Sequence, residues 1–124
     1  KKIYAIDNGF SASNSASFSQ DKGRMLENLV FLTLRQQYKE IFYFQEKKEC
    51  DFIIKKNSAI THAFQVCYDF NEDNKERELY GILEALKKFS LKEGLLLTNN
   101  QEDEFVIDGR KIIVLPVWKW LLQH

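Results

Sequence analysis

The sequence predicts an α/β fold, a three-layer sandwich around a central mixed sheet. Predicted elements alternate along the chain in the order strand, helix, three strands, helix, two strands, helix. Two apolar runs, Gly94–Thr98 and Lys111–Leu115, are too continuous for surface strands and predict strands in the interior of the sheet. Apolar residues at helical spacing between Leu79 and Phe89 predict a helix that packs on this sheet.

Length and composition predict one domain over residues 1–124. The chain has 124 residues with 44% apolar content, enough for one hydrophobic core and too little for two. Lysine plus arginine and aspartate plus glutamate both count 18, so the net charge of zero gives no overall attraction to nucleic acid. No signal peptide pattern and no apolar run of membrane-spanning length occur, which predicts a cytoplasmic chain without a membrane partner.

The first half of the chain begins with a predicted strand at Lys2–Ile6. The serine- and asparagine-rich stretch Asn8–Gly23 predicts a loop, with a flexible connector favoured over a functional lid. Residues Gly23–Leu34 are apolar at nearly every helical angle and predict a buried helix that continues to about Tyr38. The aromatic run in Ile41–Gln45 predicts the next strand.

Turn and capping residues mark further boundaries. Asn57-Ser58 predicts a turn between the strands that carry Asp51 and Gln65. Asp73 and Glu76 have the spacing of a capping pair and predict a helix start.

The last quarter of the chain carries two more such signals. Asp108-Gly109 predicts a turn before the last strand. Pro116 suits a first helical position, and the short helix that follows should bury Trp118 or Trp120.

Two neighbouring strands carry polar residues at alternate positions. Side chains alternate across a strand, so Glu49 and Asp51 share one face, and Gln65, Cys67 and Asp69 share one face of the next strand. If the strands are neighbours, these groups can converge into a polar or metal-binding site.

The two cysteines of the chain are predicted to stay reduced. Cys50, next to Asp51, should point to the opposite sheet face from Cys67, so we expect no disulfide between them.

Glu27 is the anomalous residue of the first helix. Val30, Phe31 and Leu34 follow it at helical spacing, so its carboxylate lies on an apolar stripe and needs a cation, a hydrogen-bond donor or an exit to water. The apolar surroundings of both acids favour a shared polar site of Glu27 and Asp51 over two unrelated surface carboxylates.

Several motifs together resemble the uncharacterised domain at the C-terminus of many prokaryotic AAA-type ATPases, itself similar to the PD-(D/E)XK nuclease superfamily. The motifs are Gly23-Arg24-x-x-Glu27-Asn28, Glu49-x-Asp51-Phe52, Gln65-Val66-Cys67-Tyr68-Asp69, Arg77-Glu78 and Leu115-Pro116-Val117-Trp118-Lys119-Trp120-Leu121. The resemblance implies a restriction-endonuclease-like core excised from a larger chain. An ATPase domain in that chain would be the partner, and ATP would not bind this segment.

The resemblance also assigns roles to four positions. It implies that Glu27 is the helix acid and that Asp51 is the principal metal ligand. Gln65 occupies the position where nucleases of this superfamily usually have a second acid, and Cys67 occupies the position of their lysine. Glu27, Asp51 and Gln65 would then hold Mg²⁺ or Mn²⁺, weakly, because a glutamine adds no charge. A thiol at position 67 is neutral near pH 7 and cannot replace the cation that the lysine supplies.

Local basic residues would be required for binding to DNA or RNA. The candidates are Arg24, Arg77, and one lysine of each pair Lys47-Lys48 and Lys55-Lys56, namely Lys48 and Lys55. A solvated surface with balanced charge is the simpler interpretation of the two lysine pairs.

Three functional hypotheses follow. The favoured one is a nuclease-like domain that has lost catalysis and acts as a nucleic-acid or protein interaction module for its ATPase partner. The alternative is an active Mg²⁺- or Mn²⁺-dependent DNA or RNA phosphodiesterase that uses Glu27, Asp51 and Gln65. In the third, Glu27 and Asp51 complete a buried hydrogen-bond network with Arg24 or Arg77.

Overall fold

A computed structural model describes residues 2–5, 18–45 and 49–123, which form a seven-stranded mixed sheet and three helices. The predicted α/β class with a central mixed sheet is confirmed. The elements are β1 (Lys2–Ala5), α1 (Phe18–Gln37), β2 (Glu40–Gln45), β3 (Glu49–Lys56), β4 (Ala59–Val66), α2 (Lys75–Lys88), β5 (Glu93–Thr98), β6 (Asp103–Ile107), β7 (Arg110–Pro116) and α3 (Val117–Leu122).

The sheet has the strand order β1-β2-β3-β4-β5-β7-β6 and changes direction at β4. Strands β1 to β4 pair antiparallel, whereas β4, β5 and β7 run parallel. Because parallel neighbours require a crossover connection, the chain passes through α2 between β4 and β5. The two apolar runs predicted to lie inside the sheet are β5 and β7, and each has a neighbour on both sides.

Helices pack on both faces of the sheet. Leu96 and Leu97 are consecutive, fully buried residues of β5, so they point to opposite faces. Leu96 belongs to the core cluster of Ile82 on α2, and Leu97 to that of Leu34 on α1 and Trp120 on α3. The α2 face and the α1–α3 face therefore have separate hydrophobic cores.

The sequence missed β6, since only two strands were expected after α2. This edge strand begins with Asp103 and Glu104 and has only three apolar residues, of which Val106 is exposed, so its apolar run is too short to mark a buried strand. It forms a hairpin with β7 through the predicted Asp108-Gly109 turn, where both residues have positive φ, 52° and 76°. Such angles are those of a type I′ hairpin turn.

The turn between β3 and β4 is confirmed in the same way. Asn57 and Ser58 have φ values of 53° and 69°, which match the right-handed twist of the flanking strands.

Helix α1 begins earlier and is less buried than expected. Residues 18–23 were predicted as part of a loop but form the first turns of α1, while residues 8–17 of that predicted loop lie outside the described residues. The helix lies in an outer layer, so one side of it reaches solvent. Among the described helices, none is both long and apolar enough to cross a membrane.

Helix α2 begins one residue later than predicted, and different hydrogen bonds form its start. The N-cap is Asn74, and Asp73 precedes it, so the expected pair of Asp73 and Glu76 does not cap the helix. Instead, the Asn71 N–H donates to Asn74 Oδ1 over 2.9 Å, and the Asn74 N–H donates to Asn71 Oδ1 over 3.1 Å. These two amides fix the turn that leads into the helix.

Pro116 is the N-cap of α3, so the expectation of a first helical position was one residue off. Its ψ of 143° is extended, which allows it to end β7 and begin the helix. Of the two tryptophans, Trp120 is fully buried and Trp118 is 53% exposed, so Trp120 is the one that anchors α3.

Gly94 allows α2 to pack closely on β5. A Cβ atom at this position would lie 2.8 Å from Ile82 Cδ1 and 3.0 Å from Leu86 Cδ2. We predict that Gly94→Ala lowers the free energy of unfolding by about 1–2 kcal/mol, because flexible side-chain ends must move to admit the methyl group. Urea denaturation measures the change.

Gly23→Ala is the matched control, since nothing lies within 4 Å of a Cβ at that position of α1. Alanine there should be neutral or stabilise by up to about 1 kcal/mol, as expected for a helix interior. A Gly94→Ala protein at least as stable as the parent would contradict this packing of α2.

Candidate functional site

A β-bulge places Asp51 at an irregular point of β3. The register between β2 and β3 shifts between Phe42 and Phe44, so Tyr43 faces two residues of β3, Asp51 and Phe52. The extra residue bends the strand and redirects its side chains. Bulges are frequent next to functional sites, which makes this position a candidate.

At the bulge, β3 and β4 separate, and side chains replace the backbone ladder. The last described backbone pair is Phe52 with Phe64. Beyond it, the Asp51 N–H donates to Gln65 Oε1 over 3.0 Å, and the Val66 N–H donates to Asp51 Oδ2 over 2.9 Å. Two backbone N–H groups that the ladder leaves unpaired thus find side-chain acceptors. We call this point the β3–β4 fork.

The fork is linked to α2 through Glu78, which belongs to the Arg77-Glu78 motif but was not among the predicted site residues. Gln65 Nε2 donates to Glu78 Oε1 over 2.9 Å, and Arg77 Nη2 lies 3.3 Å from Glu78 Oε2. Exposure rises along this chain of contacts, from 5% for Gln65 to 13% and 68% for the Glu78 and Arg77 side chains. We call Asp51, Gln65, Glu78 and Arg77 the fork network.

Both ends of the Gln65 amide have partners of opposite role. Its oxygen accepts from Asp51 and its nitrogen donates to Glu78, which fixes the amide orientation. Leaving one of these buried groups without its partner would cost about 1–3 kcal/mol. The third hypothesis is thereby supported for Asp51, which reaches Arg77 through Gln65 and Glu78.

Glu78 could have been found from its spacing. It lies four and seven residues before Ile82 and Ala85, both fully buried, so all three residues occupy the sheet-facing side of α2. An acid in that position requires a partner, the same argument that selected Glu27.

Cys67 is a buried neutral thiol beside this network. The residue is 8% exposed, and burial, followed by the nearby Glu78 carboxylate, raises the pKa of its thiol to about 12. Arg77 opposes this rise but does not cancel it. At neutral pH, position 67 therefore supplies no charge of either sign.

The expectation that Cys50 and Cys67 lie on opposite sheet faces was wrong. Both are free thiols in the core cluster under α2. The bulge at Asp51 explains the error, because the extra residue changes the alternation of side chains along β3. Burial also raises the pKa of Cys50.

Glu27 lies on the sheet-facing side of α1 but remains exposed. Its helical position matches that of buried Val30, Phe31 and Leu34, as the sequence predicts, yet its side chain reaches solvent. Access to water is one of the three environments expected for this carboxylate, and the exposed Glu27 side chain has it. Glu27 belongs to the helix on the α1–α3 face, whereas Gln65 connects Asp51 to α2.

The side chains at the fork do not form a typical site for a divalent cation. In the described part of the chain, no group of three or more His, Cys, Asp or Glu side chains is arranged to hold a metal ion. One oxygen each of Asp51 and Gln65 already accepts a backbone N–H. These two residues fit a structural role better than a Mg²⁺ or Mn²⁺ site with Glu27, which stays a prediction.

The basic candidates for nucleic-acid binding are spread over the molecule. Arg24 on α1 and Arg77 on α2 are exposed on opposite sheet faces, so they do not form one patch. Lys55 is half-buried near the end of β3, and Lys48 lies outside the described residues.

The fold and the fork define a mixed α/β domain with a partly buried polar network between two strands and a crossover helix. A family model described as "Domain of unknown function (DUF4143)" matches residues 22–120, and the chain belongs to this family. The uncharacterized protein MJ1544 of Methanocaldococcus jannaschii is 39% identical over 134 aligned residues. The alignment covers 99% of this chain and 30% of that relative. No solved structure matches the chain.

The raised pKa of Cys67 predicts a pH dependence of stability. In the unfolded chain the thiol titrates near its ordinary value of 9.0, and in the folded chain near 12. The stabilisation is therefore fully present below pH 9.0 and is lost as pH rises from there toward 12. Urea denaturation at several pH values should show a steeper alkaline loss for the parent than for Cys67→Ala.

The comparison with Cys67→Ala removes the contributions of tyrosine and lysine, which both proteins share. Equal alkaline slopes for the two proteins would show that the Cys67 thiol ionises as readily in the folded state as in the unfolded state.

Proposed function

We propose that this domain is a nuclease-like module that has lost catalysis and acts as an interaction domain in a chain that also carries an AAA-type ATPase. Its family is known as a C-terminal domain of AAA-type ATPases. The kinship with the PD-(D/E)XK superfamily is part of the proposal. It is supported by the motif residues Asp51 and Gln65, which meet where two central strands of a mixed sheet separate.

The neutral thiol at position 67 is the observation that carries this proposal. Phosphodiester hydrolysis requires positive charge near the scissile phosphate to stabilise the charge of the transition state. Cys67 is a thiol with a raised pKa, and Glu78 is the carboxylate that raises this pKa most. The local charge that a phosphate would meet beside Cys67 is therefore unfavourable.

The contacts of the fork support the same conclusion. Asp51 and Gln65 hold two strands together through their side-chain oxygens. A cation that drew on those oxygens would compete with the hydrogen bonds that close the fork. Residues in such a position can be retained for stability after catalysis is lost.

A protein partner is favoured over nucleic acid. The net charge is zero, and Arg24 and Arg77 lie on opposite sides of the sheet. Arg77 is also paired with Glu78, which reduces its attraction for phosphate. The proposed partner is accordingly the ATPase part of the same chain.

One observation favours the alternative of an active Mg²⁺- or Mn²⁺-dependent nuclease. Glu27 lies at a sheet-facing helical position of α1 and is exposed, so a hydrated metal ion could reach its carboxylate. In that case Glu27, Asp51 and Gln65 would hold the metal, which would lower the pKa of an attacking water.

A cleavage assay separates the two functions. Supercoiled plasmid and labelled single-stranded DNA and RNA are incubated with the protein and Mg²⁺ or Mn²⁺, beside Asp51→Ala. We expect no cleavage above the background of the variant, because the site lacks the lysine charge.

Asp69→Ala is the matched control, since Asp69 is an exposed aspartate close to the same strand end. Metal-dependent cleavage that persists in Asp69→Ala and disappears in Asp51→Ala would establish the active nuclease instead.

A further inference from the structure

Helix α1 is apolar on two opposite sides. Val30 and Leu34 face the sheet and are buried. On the far side, Met25, Leu29 and Leu32 are 62%, 42% and 40% exposed. Their spacing of four and then three residues places them in one row along the helix. We call Met25, Leu29 and Leu32 the outer stripe.

Exposed apolar residues are concentrated in this layer of the molecule. Among the described residues, seven large apolar side chains are exposed, and five of them lie on α1 and α3. The two on α3 are Trp118 and Leu122, 53% and 80% exposed and one helical turn apart. Single exposed apolar residues are ordinary, but a regular row on a helix resembles a helix-packing surface.

Apolar residues on two opposite sides of a helix are typical of a helix that packs against a partner on each of those sides. The sheet covers only one side of α1, as the exposure of the outer stripe shows. We propose that the outer stripe is the docking surface for another part of the same full-length chain. This inference rests on the proposed function, in which the domain accompanies an ATPase part.

The length of the relative supports an intramolecular occupant. The chain corresponds to 30% of the Methanocaldococcus jannaschii protein, so about 70% of that relative lies outside the region of similarity. A part of the same chain is present at an effective concentration in the millimolar range when the linker is short. Even a weak contact would then be occupied.

The size of the outer stripe points the same way. A stable interface between separate molecules needs about 800 Å² from each partner, supplied by roughly 20 residues or more. Three partly exposed side chains on one helix provide much less than this. A tethered partner requires less area than a second copy of the chain, because it loses less freedom on docking.

The polar edge of the outer stripe indicates the chemistry of its partner. Arg24 and Arg35 are exposed and lie eleven positions apart, a spacing that aligns them along one flank of the stripe. A complementary surface would be apolar with acidic residues on the corresponding side.

Cysteine labelling of the full-length protein tests the proposal. Leu29→Cys places a thiol in the outer stripe, and Tyr80→Cys places one on α2, where the parent residues are 42% and 43% exposed. The native Cys50 and Cys67 are buried with raised thiol pKa values, so they react slowly. We expect a maleimide to label Leu29→Cys at least tenfold more slowly than Tyr80→Cys, each rate being normalised to that of the urea-unfolded variant.

Equal rates for the two reporters would overturn the proposal. Protection of Leu29→Cys that disappears on dilution would also overturn it, because it would identify a second copy as the occupant. Leu32→Cys is a second reporter in the same stripe, which keeps the test decisive if Leu29→Cys does not fold. Nuclease activity in the cleavage assay would refute the proposed loss of catalysis without changing the labelling result.

Discussion

The β3–β4 fork is the constraint on which the arrangement of this domain depends. At this point β3 remains paired with β2, and β4 remains paired with β5. After β4 the chain enters the crossover helix α2. Separating two strands inside a sheet exposes N–H groups that have no ladder partner. Asp51 and Gln65 accept those hydrogens, and Glu78 joins the fork to α2. The two strands can separate here because the side chains of Asp51 and Gln65 replace two backbone hydrogen bonds.

Under the nuclease alternative, Asp51 and Gln65 would also have to bind a metal ion, which conflicts with the hydrogen bonds that they make at the fork. Hydrogen bonds inside a buried network are costly to break, since each freed group loses both its partner and its access to water. Cys67 adds to the conflict, because its thiol is neutral where a cation would be required. The proposed inactive module, in which Asp51 and Gln65 act as structural elements, accounts for both observations.

Features with local causes were accessible from the sequence. Asn57-Ser58 and Asp108-Gly109 were correct turn predictions because residue type determines the backbone angles there. The buried strands β5 and β7 follow from their apolar runs. In contrast, β6 has charged and exposed residues, and its position depends on pairing with β7.

The candidate site could be predicted only in part, because it depends on the bulge at Asp51. The sequence does not show where a strand gains an extra residue, so the side of Cys50 was predicted wrongly. Asp51 and Gln65 do lie next to each other, because β3 and β4 are neighbouring strands, which is the condition on which their predicted convergence depended. The site role of Glu78 was missed, although the residue is part of the Arg77-Glu78 motif and its spacing relative to Ile82 marks it as sheet-facing.

The most direct test of the structural role of the fork is the stability of Gln65→Glu, compared with Gln36→Glu on the exposed side of α1. At neutral pH the new carboxylate would replace an amide nitrogen that lies 2.9 Å from Glu78 Oε1, so attraction becomes repulsion. The account predicts a loss of about 1–3 kcal/mol in urea denaturation for Gln65→Glu and less than about 0.5 kcal/mol for the control. Unchanged or increased stability of Gln65→Glu, together with tighter Mn²⁺ binding, would contradict this structural role of the fork. It would favour the metal site of Glu27, Asp51 and Gln65 instead.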